Sequence, residues 1–260
     1  MRKRLFLNLI SVFIVALTAA AALVLQTSAA AVDYGLDVGG KRVTSDRLSG
    51  EGWKFEPDTN TLTLNGFISD VADKATFMKY DKKTHVYYYA FIRVENSTNL
   101  NIKLEGKEST IGDPYISGHA AERIGNTDSY NTFYGIYNPN GNVTVTGSAR
   151  LKVYTNLRGI SASKLTMDGC TGGIMMGAYT NCIDVQRLIV KGGTKINATC
   201  GYGGAMKLMY NTPIHASKSI DIYDTSEVYS EIERDNDTDD YGISGIYCDG
   251  TINVYGGKLT

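Results

Sequence analysis

The residues best placed to do chemistry lie in the run ERDNDTDD near the end of the chain. It sets Asp235, Asp237 and Asp239 at alternate positions with Asp240 adjacent, a spacing at which several carboxylate oxygens can converge on a hard cation such as calcium. The first three match the opening of an EF-hand loop, but position six is Asp240 rather than Gly and position twelve is Ile246 rather than Glu, so it is not an EF-hand. A solvated acidic loop is the commoner fate of such a charge run.

A second candidate is KYDKKTHVYYYAF, where Lys82 and Lys83 precede Tyr87, Tyr88 and Tyr89. Exposed Tyr rings stack on sugar rings and Lys pairs with uronate carboxylates, which makes this a candidate glycan platform. The competing reading is a strand whose alternate Tyr side chains are buried, since aromatics favour strands generally.

Catalytic patterns are thin, and no catalytic residue is assigned. GIS occurs at 159–161 and 242–244 without a GxSxG frame, and His85, His119 and His215 are scattered singly. Arg234, beside the acidic run, is the adjacent candidate for the base that a lyase needs. Cys170, Cys182, Cys200 and Cys248 lack zinc-like spacing and allow three disulfide pairings; Cys182 and Cys200 fall near one corner of neighbouring repeats, and free core thiols are an equal alternative. Sequons stand at Asn96, Asn142, Asn197 and Asn236 and carry little weight if the source is bacterial.

These residues need a scaffold. The chain has 260 residues, 43% hydrophobic, with 28 Gly and four Pro, enough for one or two folded domains. Arg2, Lys3 and Arg4, the apolar run Leu5 to Leu25 and the small residues Ser28 to Ala31 read as a secretory signal over residues 1–31, with an uncleaved anchor as the alternative. Without those three basic residues, 23 Lys and Arg face 27 Asp and Glu, a net charge near −4. That balance speaks against nucleic acid, and no second spanning segment follows.

A six-residue phrase, aliphatic at positions two and four and closed by Gly, Asn or Asp, recurs seven times: TLTLNG (61–66), NIKLEG (101–106), NVTVTG (142–147), KLTMDG (164–169), RLIVKG (187–192), SIDIYD (219–224) and TINVYG (251–256). Such alternation marks a short strand with one buried face. A second aliphatic position follows most phrases (Ile111, Leu151, Ile174, Ile196, Val228), and a third precedes most (Ile92, Ile136, Ile160, Ile183, Met206, Ile246). Starts spaced 40, 41, 22, 23, 32 and 32 residues apart imply a coil of about 22 residues with three short strands, enlarged by insertions at 68–90, 112–132, 207–218 and 230–243. The expected fold is all-β, a right-handed parallel β-helix over 61–260, with an antiparallel sandwich as the competitor. Residues 32–60 are expected to cap its first end, and the stop inside the seventh unit reads as a truncation.

The phrases YGLDVGGKRVTS (34–45) and EGWKFEPDTNTLTLNGF (51–67), with the later GIY and VxVxG units, resemble secreted Firmicutes proteins of a carbohydrate-binding-domain family. The resemblance covers most of 33–260. It implies a right-handed parallel β-helix akin to pectate lyases, some members binding acidic plant polysaccharide and calcium. The expected function is therefore a secreted or cell-surface, non-catalytic polysaccharide binder assisted by calcium. The alternatives are a lyase or hydrolase on the same scaffold, or an adhesin stalk.

Overall fold

Aliphatic–polar alternation becomes strand wherever it occurs in the residues that the computed structural model describes, 30–69, 74–95, 98–113, 122–123, 130–201, 212–233 and 245–260. Residues 1–31, read from the sequence as a secretory signal, lie almost wholly outside these residues, and Asp33–Thr260 forms one compact unit. No α-helix occurs among the described residues.

The chain opens with β1 (Asp33–Val38), β2 (Lys41–Thr44), β3 (Ser49–Gly50) and β4 (Trp53–Glu56), a 3-10 turn at Pro57–Thr59, and β5 (Thr61–Leu64). Next come β6 (Ile68–Ser69), β7 (Thr76–Asp81), β8 (Val86–Val94), β9 (Leu100–Leu104) and β10 (Ser109–Gly112). The middle holds β11 (Glu122–Arg123), β12 (Tyr130–Gly147), β13 (Leu151–Thr155), β14 (Arg158–Asp168), β15 (Ile174–Ala178), β16 (Asn181–Lys191) and β17 (Lys195–Gly201). The last are β18 (Ile214–Tyr223), β19 (Glu227–Glu233), β20 (Ile246–Cys248), β21 (Thr251–Tyr255) and β22 (Lys258–Leu259).

Two long sheets result. Sheet A runs β20-β18-β16-β14-β12-β9-β5-β4-β3, with β8 also on β12 and β21 on β18. Sheet B runs β22-β19-β17-β15-β13-β10-β6. From β12 to β19 the chain alternates between the sheets, and each strand pairs in parallel with its counterpart one repeat away.

The ladder places Leu62 on Ile102, Val143 on Leu165, Leu165 on Leu188, Leu188 on Ile220 and Ile220 on Ile252, the register read from the phrases. One step differs: Val143 meets Leu100 and Val145 meets Ile102, two residues away from the expected pairing. A shift of two keeps every side chain on its own face, so the core tolerates it.

Three further expectations change. The two strand segments that precede and contain each phrase run on as one strand in β12, β14 and β16, because pairing continues through the residues between them, as in Ala162↔Val185 and Lys164↔Arg187. Met206 lies outside the described residues, and Ile214 takes the place expected of it, between Ile183 and Ile246. The first insertion is no loop either, since β7 and β8 form an antiparallel hairpin and β8 joins sheet A. The extra length of every enlarged repeat falls in the connection from a sheet-B strand to the next sheet-A strand, after β6, β10, β17 and β19.

The inward faces of both sheets share one apolar core, in which Leu62, Ile102, Val143, Leu165, Leu188 and Val190 are fully buried. Burying each such side chain contributes roughly 1.5–3 kcal/mol. Backbone N–H groups at the corners inside the stack are satisfied by hydroxyls of the next repeat: Phe67 N donates to Ser109 Oγ (3.1 Å), Cys170 N to Thr194 Oγ1 (3.0 Å) and Thr194 N to Ser226 Oγ (3.2 Å). At the first end β1 runs antiparallel to β8, and β4 antiparallel to β5. At the other end Ile252 and Val254, equivalents of core residues, are 43% and 45% exposed.

Candidate functional site

Asp235, Asp237, Asp239 and Asp240, with Arg234, lie outside the described residues. Among the described residues no group of three His, Cys, Asp or Glu side chains is gathered to hold a metal ion. Lys82 and Lys83 sit exposed in the turn between β7 and β8, where Lys83 N donates to Asp81 Oδ1 (2.9 Å).

The three tyrosines that follow alternate along β8 and so face opposite ways. Tyr87 packs on Tyr80 (4.4 Å between ring centroids), and Tyr89 packs on Phe133 (5.4 Å) and Phe77 (5.7 Å). Tyr88 instead lies beneath Lys79 Nζ (4.7 Å) and near Tyr134 (6.5 Å). The five residues read as one platform are thus divided between a turn and two faces of a strand.

The four cysteines are free thiols. Cys182 Sγ donates to Thr199 O (3.3 Å) and Cys200 Sγ to Thr180 O (2.9 Å), so the two occupy neighbouring buried positions. Burial raises the pKa of the Cys182 thiol.

What the ladder does gather is a row that scattered residues conceal. The residue after each aliphatic of the preceding segment forms a register column on sheet A: Arg93, Tyr137, Ser161, Asp184, His215 and Tyr247, with Asp37 of β1 at its head. Column neighbours are about 4.8 Å apart. Asp184 is held from both sides, by Arg158 Nη1 (2.7 Å) on one oxygen and His215 Nδ1 (2.7 Å) on the other. His215 stacks on Tyr247 (5.7 Å), and its Nε2 lies 3.8 Å from Asp249 Oδ2.

At the head of the column Arg42 binds Asp33 (2.7 Å), Asp37 (3.2 Å) and Glu95 (2.6 Å), and Arg93 binds Glu95 (2.9 Å). Hydrogen bonding from Arg42 lowers the carboxyl pKa of Asp33 and of Glu95, whereas burial raises that of Asp37 despite the same guanidinium. Burial pushes the neighbouring Tyr134 hydroxyl up to about 12.

Three residues further along the same strands the surface turns basic. Lys164 lies opposite Arg187, and Lys218 immediately precedes Ser219, the residue opposite Arg187. Arg187 and Lys218 are exposed and Lys164 half-buried. The structure gives none of the three an ion pair or side-chain hydrogen bond within the described residues. Gln186 and Ser217 beside them are exposed and polar. A one-residue irregularity between Val185 and Arg187 accommodates the extra residue on β18.

One strand away, Arg93, Val94, Glu95, Tyr137, Asn138, Pro139 and Asn140 line a shallow cleft of ≈ 400 Å³. The basic ladder and the Asp184–His215 pair escaped the sequence reading because neighbouring members are 23 to 31 positions apart. The available signal was a Lys or Arg at the first position of a phrase or immediately before it in three successive units, visible once insertion lengths are subtracted. No protein-family model, curated protein or solved structure matches the chain.

Proposed function

We propose that this protein is a secreted or cell-surface, non-catalytic carbohydrate-binding protein built as a right-handed parallel β-helix, with residues 32–60 capping its first end, and that it binds acidic polysaccharide. The observation that carries this reading is the ladder of Lys164, Arg187 and Lys218. Like charges on adjacent strands repel, and no carboxylate of the described residues forms an ion pair with any of these three. A linear polyanion laid across the strands supplies counter-charges along this row. Calcium held by Asp235, Asp237, Asp239 and Asp240 would assist by bridging further carboxylates.

The test is affinity electrophoresis in gels containing polygalacturonate or neutral xylan, with and without calcium. Wild-type protein is expected to be retarded by polygalacturonate, less so at higher ionic strength because the charges are exposed. The triple variant Lys164→Ala, Arg187→Ala, Lys218→Ala is expected to run freely; equal retardation of the two proteins would exclude the ladder as the site.

One observation favours a second reading, a polysaccharide lyase or hydrolase. His215 is fixed through Nδ1 by Asp184, which leaves Nε2 for proton transfer. Release of unsaturated or reducing ends that is lost in His215→Ala would support it.

A further inference from the structure

The cleft and the basic ladder adjoin. Asn138, which lines the cleft, lies opposite Ala162, and Asn142, four residues further along the same strand, lies opposite Lys164, so the cleft and the first cation of the ladder stand on adjacent strands. Yet the two surfaces differ in kind. The guanidinium in the cleft lining, Arg93, is consumed by Glu95, and Arg42, which shares Glu95, also binds Asp33 and Asp37. Three carboxylates against two guanidiniums leave the surroundings negative in sum, so a uronate entering the cleft would meet repulsion and no free cation. The lining offers instead a half-exposed Tyr137 ring, the exposed Asn140, Pro139 and the paired Arg93 and Glu95. An aromatic face with amide, donor and acceptor groups at its margin suits the apolar face and hydroxyl rim of an uncharged pyranose.

The cleft is also held in shape before any ligand arrives. Asn138 Nδ2 donates to Thr98 O (2.8 Å) and Asn142 O (3.4 Å), and Asn142 N donates to Asn99 Oδ1 (3.1 Å). At Gly141 a Cβ would stand 2.4 Å from Asn138 Oδ1 and 2.6 Å from Thr98 O, so the bend that presents Pro139 and Asn140 requires glycine. Tyr137 is braced edge-on by Tyr134 at 4.7 Å.

We infer that the cleft is a subsite for an uncharged sugar, and that the preferred ligand is an acidic heteroglycan in which neutral or N-acetylated sugars alternate with uronates. This rests on the polyanion reading of the ladder. Calorimetry with size-matched oligosaccharides tests it, comparing oligogalacturonate with an alternating uronate and N-acetylhexosamine oligomer such as hyaluronate. The wild type is expected to bind the alternating oligomer on the order of tenfold more tightly, a difference of about 1.4 kcal/mol. Tyr137→Ala and, separately, the exposed Asn140→Ala should bring that ratio near one while leaving oligogalacturonate affinity unchanged, with melting temperature confirming the fold of each variant. Equal affinities in the wild type, or a ratio that survives both substitutions, would overturn the subsite and leave the ladder standing. Binding of neither oligosaccharide would overturn both.

Discussion

Arg42 is the residue on which the most charge converges, and its loss should be felt in stability. Its side chain is 30% exposed and that of Asp37 only 7%, so Arg42→Ala leaves a nearly buried carboxylate without its main partner. Between the near-zero value of surface pairs and the several kcal/mol of buried ones, the expected cost is about 2 kcal/mol. Asp37→Asn in the same background should recover some of it, as urea unfolding would show. The pH dependence follows from the shifts. Asp33 and Glu95 have lowered pKa values, so their contribution is complete above the ordinary carboxylate range, roughly pH 4, and is lost as pH falls through the lowered values. Asp37 acts in the opposite sense, because its raised pKa makes protonation favour the folded state. The wild type should therefore lose more stability than Arg42→Ala between pH 5 and roughly pH 3, a difference that thermal melts in that range would show. None of this network was legible in the sequence, since Arg42 and Glu95 are 53 positions apart and meet only because β1 folds back on β8.

At the scale of the element, two glycines give a controlled comparison. Gly112 ends β10 with φ +78°, and a Cβ there would stand 1.6 Å from the Tyr154 carbonyl oxygen on the adjacent strand. Gly169 has a similar φ of +67° with no atom within 4 Å. Gly169→Ala should cost only the left-handed backbone strain, about 1–2 kcal/mol, whereas Gly112→Ala must push β10 and β13 apart and should cost more than about 3 kcal/mol; chemical denaturation of both would decide. Most strands were readable because alternation at Leu62/Leu64 or Leu188/Val190 admits one buried face. The register of β9 was not, because Leu100, Ile102 and Leu104 alternate over five residues. Either of two registers buries aliphatics equally well. Ile214 was passed over in favour of Met206 for a related reason: an insertion of unknown length hides which aliphatic resumes the ladder.

For the whole molecule, position along the stack outweighs residue type. Ile220 and Ile252 are register partners with the same inward role, but Ile220 is 1% exposed and Ile252 43%. Ile220→Lys buries a charge without a partner and should abolish folding, while Ile252→Lys should change stability by no more than about 0.5 kcal/mol. Circular dichroism and sedimentation would distinguish them. The stacked parallel architecture was open to sequence reading because a period repeats seven times. The surface chemistry was not, because it depends on which outward residues the register sets side by side.

Lys164 and Arg187 are register partners, so their spacing is fixed by backbone hydrogen bonding and not by side-chain choice, and Lys218 stands one residue off that register on the next strand. The strands therefore act as a ruler, graduated in steps of about 4.8 Å. On the polyanion reading proposed above, a polymer whose charges recur at a whole multiple of those graduations meets the cations together, and one that is out of phase meets them in turn. On that reading selectivity would lie in periodicity, a property of the ligand as a chain that no single sugar carries.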